Sequence, residues 1–325
     1  MRKFLAFAAV YLIWGSTYLA IGVGVRDIPP FLMAGVRFFT AGTILFGFAR
    51  RGEAPLTRRE WAEAALAGVL FFTAAHGLGH WAQVRIPSGA AAVLVATVVF
   101  WIAGFDAAFV ARRRPSLVAI LCTVTGFSGV VVLVAPWRAE AALDPAGVIA
   151  MLLGPVAWAT ASLWSRRPSM PRCLPLSAGA QMLVGGAALL LLGTVSGQWS
   201  QVTLADVGVP AFVALAYLVV FGSIVAFVAY TWLLTHVEPA LAATYAFVNP
   251  LIAVLLGGVI LGEELSPRVW LALALIVVPV ALLQWNEART RSALAGGVGR
   301  PPAPPPRSAL HTADAAGRPR RPSVR

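Results

Sequence analysis

Apolar residues run along this chain in long blocks, divided by short connections rich in Arg, Pro and Gly. Ten blocks approach or exceed the roughly 20 apolar residues that an α-helix needs to cross the hydrocarbon core of a bilayer. They are 4–24, 31–49, 62–83, 88–110, 116–135, 146–164, 175–195, 208–234, 239–261 and 267–285. The connections are short, so consecutive helices run antiparallel. The pattern predicts an all-α integral membrane protein of ten transmembrane helices. The ninth block carries an interruption of its own, YAFVNP at 245–250. Its proline removes the amide that would bond the carbonyl of Ala246. Unpaired backbone at membrane depth is tolerated where protein or a water-filled cavity supplies a partner. Pro250 therefore predicts a helix break beside a site, with Asn249 next to it.

The blocks repeat. Trp14 matches Trp158 at an offset of 144, and AGVRFFTAG (34–42) lies on AGAQMLVGG (178–186) at the same offset, which places Arg37 on Gln181. Further on the offset is 151: Trp81 falls on Trp232, and AAVLVATVV (91–99) on AATYAFVNP (242–250). One longer loop in the second half accounts for the change. The halves are 1–137 and 138–287. Five helices per half is an odd number, so the halves insert in opposite directions. The loops agree, since basic RRRP (112–115) corresponds to acidic EELS (263–266). Two inverted five-helix repeats are the signature of secondary transporters, whose sites lie near the midplane between the repeats. Asn249 and Pro250 fall opposite Val98 and Val99, which predicts a one-sided break with the polar half of the site on the second repeat.

Composition agrees with the blocks. The chain has 325 residues, 59% hydrophobic and 12% charged, with a mean hydropathy of +0.81. Soluble domains carry about 25% charged residues. The net charge of +12 comes from 24 Arg and one Lys against 13 acids. Its distribution excludes a nucleic-acid surface, because the basic residues cluster between apolar blocks and in the last segment. With the N-terminus inside, the inner side holds Arg2, Lys3, Arg50, Arg51, Arg58, Arg59, Arg112, Arg113, Arg114, Arg166, Arg167 and Arg172. The outer loops hold only Arg26, Arg85, Arg138 and Arg268. The positive-inside bias places both termini in the cytoplasm and the chain in the cell's inner membrane. The first block runs past Ile21 without a cleavage-type exit, which makes it a helix rather than a signal peptide. Residues 288–325 are rich in Pro, Gly and Arg, and predict a disordered basic tail, either solvated or drawn to anionic lipid. Cys122 and Cys173 have neither a CxxC nor a metal spacing and are expected to be free thiols.

Several stretches resemble the EamA family of the drug/metabolite transporter superfamily: LIWGSTYLAI (12–21), IPSGAAAVLVAT (86–97), AYLVVFGSIVAF (216–227) and HVEPALAATYAFVNPLIAVLLGGVILGEEL (236–265). The resemblance covers about 4–285. It implies ten helices, two EamA repeats and export of small metabolites or drugs, without naming a ligand. The first half departs from the family pattern. Gln83 stands where an acid is usual, Val99 where a proline is usual, Arg112–Arg114 where the loop usually holds an acid, and His76 where Asn is more frequent. A proton-carrying carboxylate at position 83 is therefore absent.

Polar groups within hydrocarbon are costly and face a cavity or a partner, which makes them the candidates for a site. Arg37 is either an anion contact in the cavity or an interior structural partner. His76, His80 and Gln83 share one face of the third helix. A histidine pair at that spacing is a partial metal site without a third ligand. The alternatives are a titrating cavity face or histidines hydrogen-bonded between helices. Tyr245 and Asn249 share a face of the ninth helix with Ala242. Ser223, Phe227 and Tyr230 do so on the eighth, Trp14, Thr17 and Tyr18 on the first, and Trp158 with Ser162 on the sixth. Trp101 and Gln181 complete the candidate set. Asp106 is expected to pair with Arg112–Arg114, and Glu263 and Glu264 to be solvated in an outer loop.

The combined expectation is a secondary transporter that exports a small metabolite, amino acid or drug by alternating access. Proton coupling, facilitation and exchange stay open, as do monomer and homodimer. Neither cofactor nor nucleic acid is expected, and membrane lipid is the other partner. The rivals are a non-transporting membrane scaffold and a membrane enzyme. No H-E-x-x-H or G-x-S-x-G motif supports the enzyme.

Overall fold

The computed structural model describes residues 2–105, 108–109, 117–134, 143–165, 167–203, 205–236 and 245–297. All regular structure among them is helical: α1 (Arg2–Gly24), α2 (Pro30–Ala49), α3 (Arg58–Ala82), α4 (Ser88–Val95), α5 (Val98–Phe105), α6 (Leu117–Val134), α7 (Pro145–Trp164), α8 (Leu174–Val195), α9 (209–236), α10 (Tyr245–Leu261) and α11 (Pro267–Gly297). Six of these are long and apolar enough to cross a membrane: α1, α2, α3, α7, α8 and the Val209–Tyr230 part of α9. Shorter apolar helices occupy Ser88–Ile102, Ile120–Leu133, Val248–Leu261 and Pro267–Pro279. Large apolar side chains such as Leu12, Phe48, Leu121, Leu191, Val195 and Val259 stand exposed. A soluble monomer does not spread apolar surface on this scale, whereas lipid covers it without cost.

Helix ends follow local chemistry. Pro30 opens α2, where its missing amide costs nothing. Gln198 Oε1 accepts from the next two amides, Phe31 at 3.0 Å and Leu32 at 3.3 Å. Thr57 and Glu60 form a reciprocal capping box at the start of α3. Asp144 Oδ1 accepts from the Gly147 amide, 2.6 Å, to begin α7. Glu263 is not solvated as its loop position suggests. Its carboxylate accepts from Ser88 N (2.7 Å), Ser88 Oγ (2.7 Å) and Gly89 N (2.9 Å), and so caps α4 from the far end of the chain. Glu264 is exposed.

α2 and α8 pack backbone to backbone. A Cβ on Gly42 would lie 2.6 Å from the Leu183 amide nitrogen, and one on Gly186 would strike the backbone of Phe39. A Cβ on Gly35 would meet Leu190, and one on Gly179 would meet Phe46. These contacts are reciprocal under the offset of 144, because 42 and 183 map onto 186 and 39, and 35 and 190 onto 179 and 46. Numbering rises on one helix as it falls on the other, so the two matched segments run antiparallel. Small residues allow this approach, as in membrane helix pairs generally. A second correspondence follows the offset of 151. The Arg85 guanidinium lies 3.6 Å above the Trp81 ring, and the His236 ring stacks on Trp232 at 4.0 Å.

Two expectations about helix breaks reverse. The block 88–110 is interrupted, with α4 ending at Val95 and α5 beginning at Val98. Thr97 Oγ1 donates to the Leu94 carbonyl at 2.7 Å, and Thr97 N and Phe100 N bond three residues back. A threonine hydroxyl that takes a backbone acceptor competes with the α-helical ladder. Conversely, α10 runs unbroken through Pro250. The proline sits in the second turn described, so only the Ala246 carbonyl loses its partner and the later ladder is untouched.

By contacts the chain divides into Met1–Asn286 and Glu287–Arg325. In the second unit, residues 287–297 are helical where composition predicts a disordered tail from 288. Ala, Arg and Leu there are strong helix formers, and the glycines at 296–297 end the run. Asp106, Arg112–Arg114, Ala242 and the tail beyond 297 lie outside the described residues. Both cysteines are free thiols.

Candidate functional site

Helices from both halves wall one cavity of about 140 Å³. α1 contributes Trp14, Thr17 and Tyr18, and α2 contributes Arg37 with Phe38. α3 adds His76 and His80, with Gln83 just past its end. Trp158 enters from α7, Ser223 and Phe227 from α9, and Tyr245 with Asn249 from α10. Ten of the thirteen sequence candidates thus share one lining. More of the polar side chains come from the first half than from the second, the reverse of what Pro250 suggests.

α3 and α9, the third helix of each half, both change winding where they meet this space. Each switches from α- to π-winding in mid-helix, at Val69–His76 and Leu218–Val225. The Gly77 amide reaches back to the Phe72 carbonyl, and the Ala226 amide to that of Phe221. Such insertions re-aim the side chains that follow and recur at functional sites. The matched tryptophans each engage one π-segment. Trp14 Nε1 donates to the Gly222 carbonyl at 3.1 Å. Trp158 meets Phe71 at 4.7 Å and His76 at 5.5 Å, edge to face.

Arg37 is 3% exposed. Its Nε donates to Ser223 Oγ at 3.0 Å, and that hydroxyl donates to the Leu218 carbonyl at 2.9 Å. The guanidinium lies 4.5 Å from the centre of the Phe38 ring. A Cβ on Gly222 would sit 3.2 Å from Nη2, so glycine leaves the cation its place. Nη1 is buried and has no partner. No Asp or Glu among the described residues lines the cavity. Three further lining residues each keep a buried atom without a hydrogen-bond partner: His80 Nε2, Gln83 Oε1 and Asn249 Oδ1. His80 Nδ1 lies 2.7 Å from the His76 carbonyl, a bond within α3 rather than between helices. The carbonyl can only accept, so Nδ1 carries the proton and a neutral His80 presents Nε2 as an acceptor. Among the described residues no three His, Cys, Asp or Glu side chains gather to hold a metal.

Three candidates lie elsewhere. Trp101 packs on Phe105 and Phe127. Gln181 Nε2 donates to Ser177 Oγ one turn earlier, 2.9 Å. Tyr230 stands behind the lining, 5.0 Å from Trp14 and 5.5 Å from Tyr245 between ring centres. Pro250 is buried outside the lining. The sequence candidates omit Pro155, which faces the cavity from α7 beside Met151 and Gly154. An interior proline in an apolar block is the same signal as Pro250. Phe38 and Phe72 carry no such signal, because nothing separates a lining phenylalanine from a lipid-facing one by type alone.

The comparisons with known proteins agree with this architecture. The model of the EamA-like transporter family matches residues 1–135 and 145–285. The chain is similar to the uncharacterized inner membrane transporter YedA of Escherichia coli K12, 39% identical over 282 residues, covering 86% of this chain and 89% of the relative. It is also similar to the uncharacterized transporter YoaV of Bacillus subtilis, 23% identical over 90% of this chain and 99% of that one. A solved crystal structure shares the fold at a TM-score of 0.63 and 21% identity, with 89% of this chain and 98% of that chain covered. With nearly all of its length in two matched segments, the chain belongs to the EamA-like transporter family.

Proposed function

We propose that the protein exports a small organic solute across the cytoplasmic membrane by alternating access, binding it in the cavity between two inverted five-helix repeats. The observation that carries this reading is the cavity itself. Both family-matched segments wall it, and four of its polar lining side chains keep a buried atom without a partner. Unpaired polar atoms at that depth are costly unless a ligand or water meets them. The reciprocal, antiparallel contacts of α2 and α8 support the inverted repeat, as do the π-segments at matching places in α3 and α9. The ten-helix count and a cytoplasmic N-terminus rest on the apolar blocks and the distribution of arginine. Inside-out vesicles holding the purified protein test the proposal with a panel of radiolabelled metabolites and dyes. Accumulation above that of empty vesicles is the expected result. A panel in which no solute exceeds the empty control overturns it.

A further inference from the structure

We propose that the cavity selects a monocarboxylate carrying one aromatic ring with a hydroxyl group and no amino group, with Arg37 as the carboxylate anchor. The inference rests on the transporter reading and names the substrate class of the same site. The lining is asymmetric in charge. Arg37 is the cation among the described lining residues, its Nε is committed to Ser223, and its Nη1 is buried without a hydrogen-bond partner. No carboxylate among the described lining residues offsets it. A buried charge without a counter-ion is costly, and a ligand with a single negative charge supplies the missing partner. An amine would add a second cation. A zwitterion would leave the cavity's own charge uncompensated and would bring an ammonium group that only neutral acceptors could meet.

The rest of the lining describes the rest of the ligand. Trp14, Phe38, Phe72, Trp158 and Tyr245 present ring faces and edges. A cavity of about 150 Å³ in an apolar core accepts one benzene ring, close to the volume found. The remaining unpartnered atoms, His80 Nε2, Gln83 Oε1 and Asn249 Oδ1, are acceptors. They call for a donor without charge, which a hydroxyl provides.

Three probes share one hydroxylated ring and differ only at the head group: 3-(4-hydroxyphenyl)propionate, tyrosine and tyramine. Calorimetric titration of the purified full-length protein in detergent should give about tenfold or tighter binding of the acid than of either other probe. Removal of the ring hydroxyl, in 3-phenylpropionate, should weaken the acid several-fold. Arg37→Gln should abolish the preference for the acid. Arg37→Lys should retain part of it, because the charge stays while the planar fork is lost. Equal or tighter binding of tyrosine or tyramine to the wild-type protein overturns the proposal, as does the absence of saturable binding by the acid. The wild-type comparison stands even if a variant fails to fold. Flux of the same probes into vesicles separates the two readings. Saturable binding of the acid without flux sinks transport and supports the ligand class. Flux of tyrosine or tyramine in preference to the acid sinks the ligand class and supports transport.

Discussion

Positions 37 and 181 are matched in sequence at an offset of 144 and lie on two helices that pack reciprocally against each other. Both side chains are buried, 3% and 7% exposed. There the likeness ends. Gln181 closes on Ser177 within its own helix, while Arg37 lines the cavity, reaches across to Ser223 and keeps Nη1 buried without a hydrogen-bond partner. The two halves share a packing scheme and differ in chemistry. Packing depends on where small residues stand, which the halves keep alike. The chemistry of the cavity depends on which polar atoms of its lining residues are left without partners, and among the described residues those cluster on the first half, with Asn249 the exception in the second.

Four pairs of substitutions bear on this contrast. The largest effect is expected where the halves are alike. Gly42→Val and Gly186→Val each place a Cβ against the backbone of the facing helix, and each should cost about 3 kcal/mol or more from overpacking. Loss of monodisperse protein after detergent extraction, in both variants and to a similar degree, is the expected result. Tolerance of one and not the other would break the reciprocity.

Arg37→Gln should come next, with transport falling by about tenfold to a hundredfold, as expected for a lost charge-assisted contact. Gln181→Ala should leave transport within about twofold, since only a local hydrogen bond is removed. Vesicle flux on both variants, with melting temperatures as a control for folding, measures the asymmetry. Equal losses would mean that the cavity does not distinguish the two positions.

A smaller effect concerns the cap that joins the halves. Glu263→Gln should destabilise the protein by about 1–2 kcal/mol, because a charged acceptor is lost from three donors at a helix start. Glu264→Gln should leave the melting temperature unchanged. The smallest effect is expected at the helix interruptions. Thr97→Val removes the bond to the Leu94 carbonyl and should change stability by about 1 kcal/mol or less. Pro250→Ala should have a similarly small effect on folding, because α10 is already helical through that residue. A large loss of folded protein in Pro250→Ala would show that the proline has a role the continuous helix does not reveal.

Much of the candidate site was legible from residue type. Arg37, His80, Gln83 and Asn249 stand out in apolar blocks because hydrocarbon does not solvate them, and all four face the cavity. Aromatic residues were less legible. Trp14 and Trp158 could be chosen because the repeat pairs them, whereas Phe38 and Phe72 could not be told from lipid-facing rings. Trp101 shows the reverse failure: an aromatic in the right block, packed instead on Phe105 and Phe127.

The sequence by itself determined the membrane environment, the approximate helix positions and the family. These follow from apolar length, the placement of arginine and local motifs, all of which are sums over neighbouring residues. Tertiary structure alone decided which polar atoms remained unpaired. Serine and arginine 186 residues apart meet because the halves pack together. Glutamate 263 caps a helix that begins at residue 88 for the same reason. The π-winding of α3 and α9 and the interruption at Thr97 likewise depend on how a backbone carbonyl finds its partner in the packed bundle. No hydropathy pattern records that choice, because an amide or hydroxyl that meets a carbonyl three or five residues back instead of four leaves the order of apolar and polar residues unchanged.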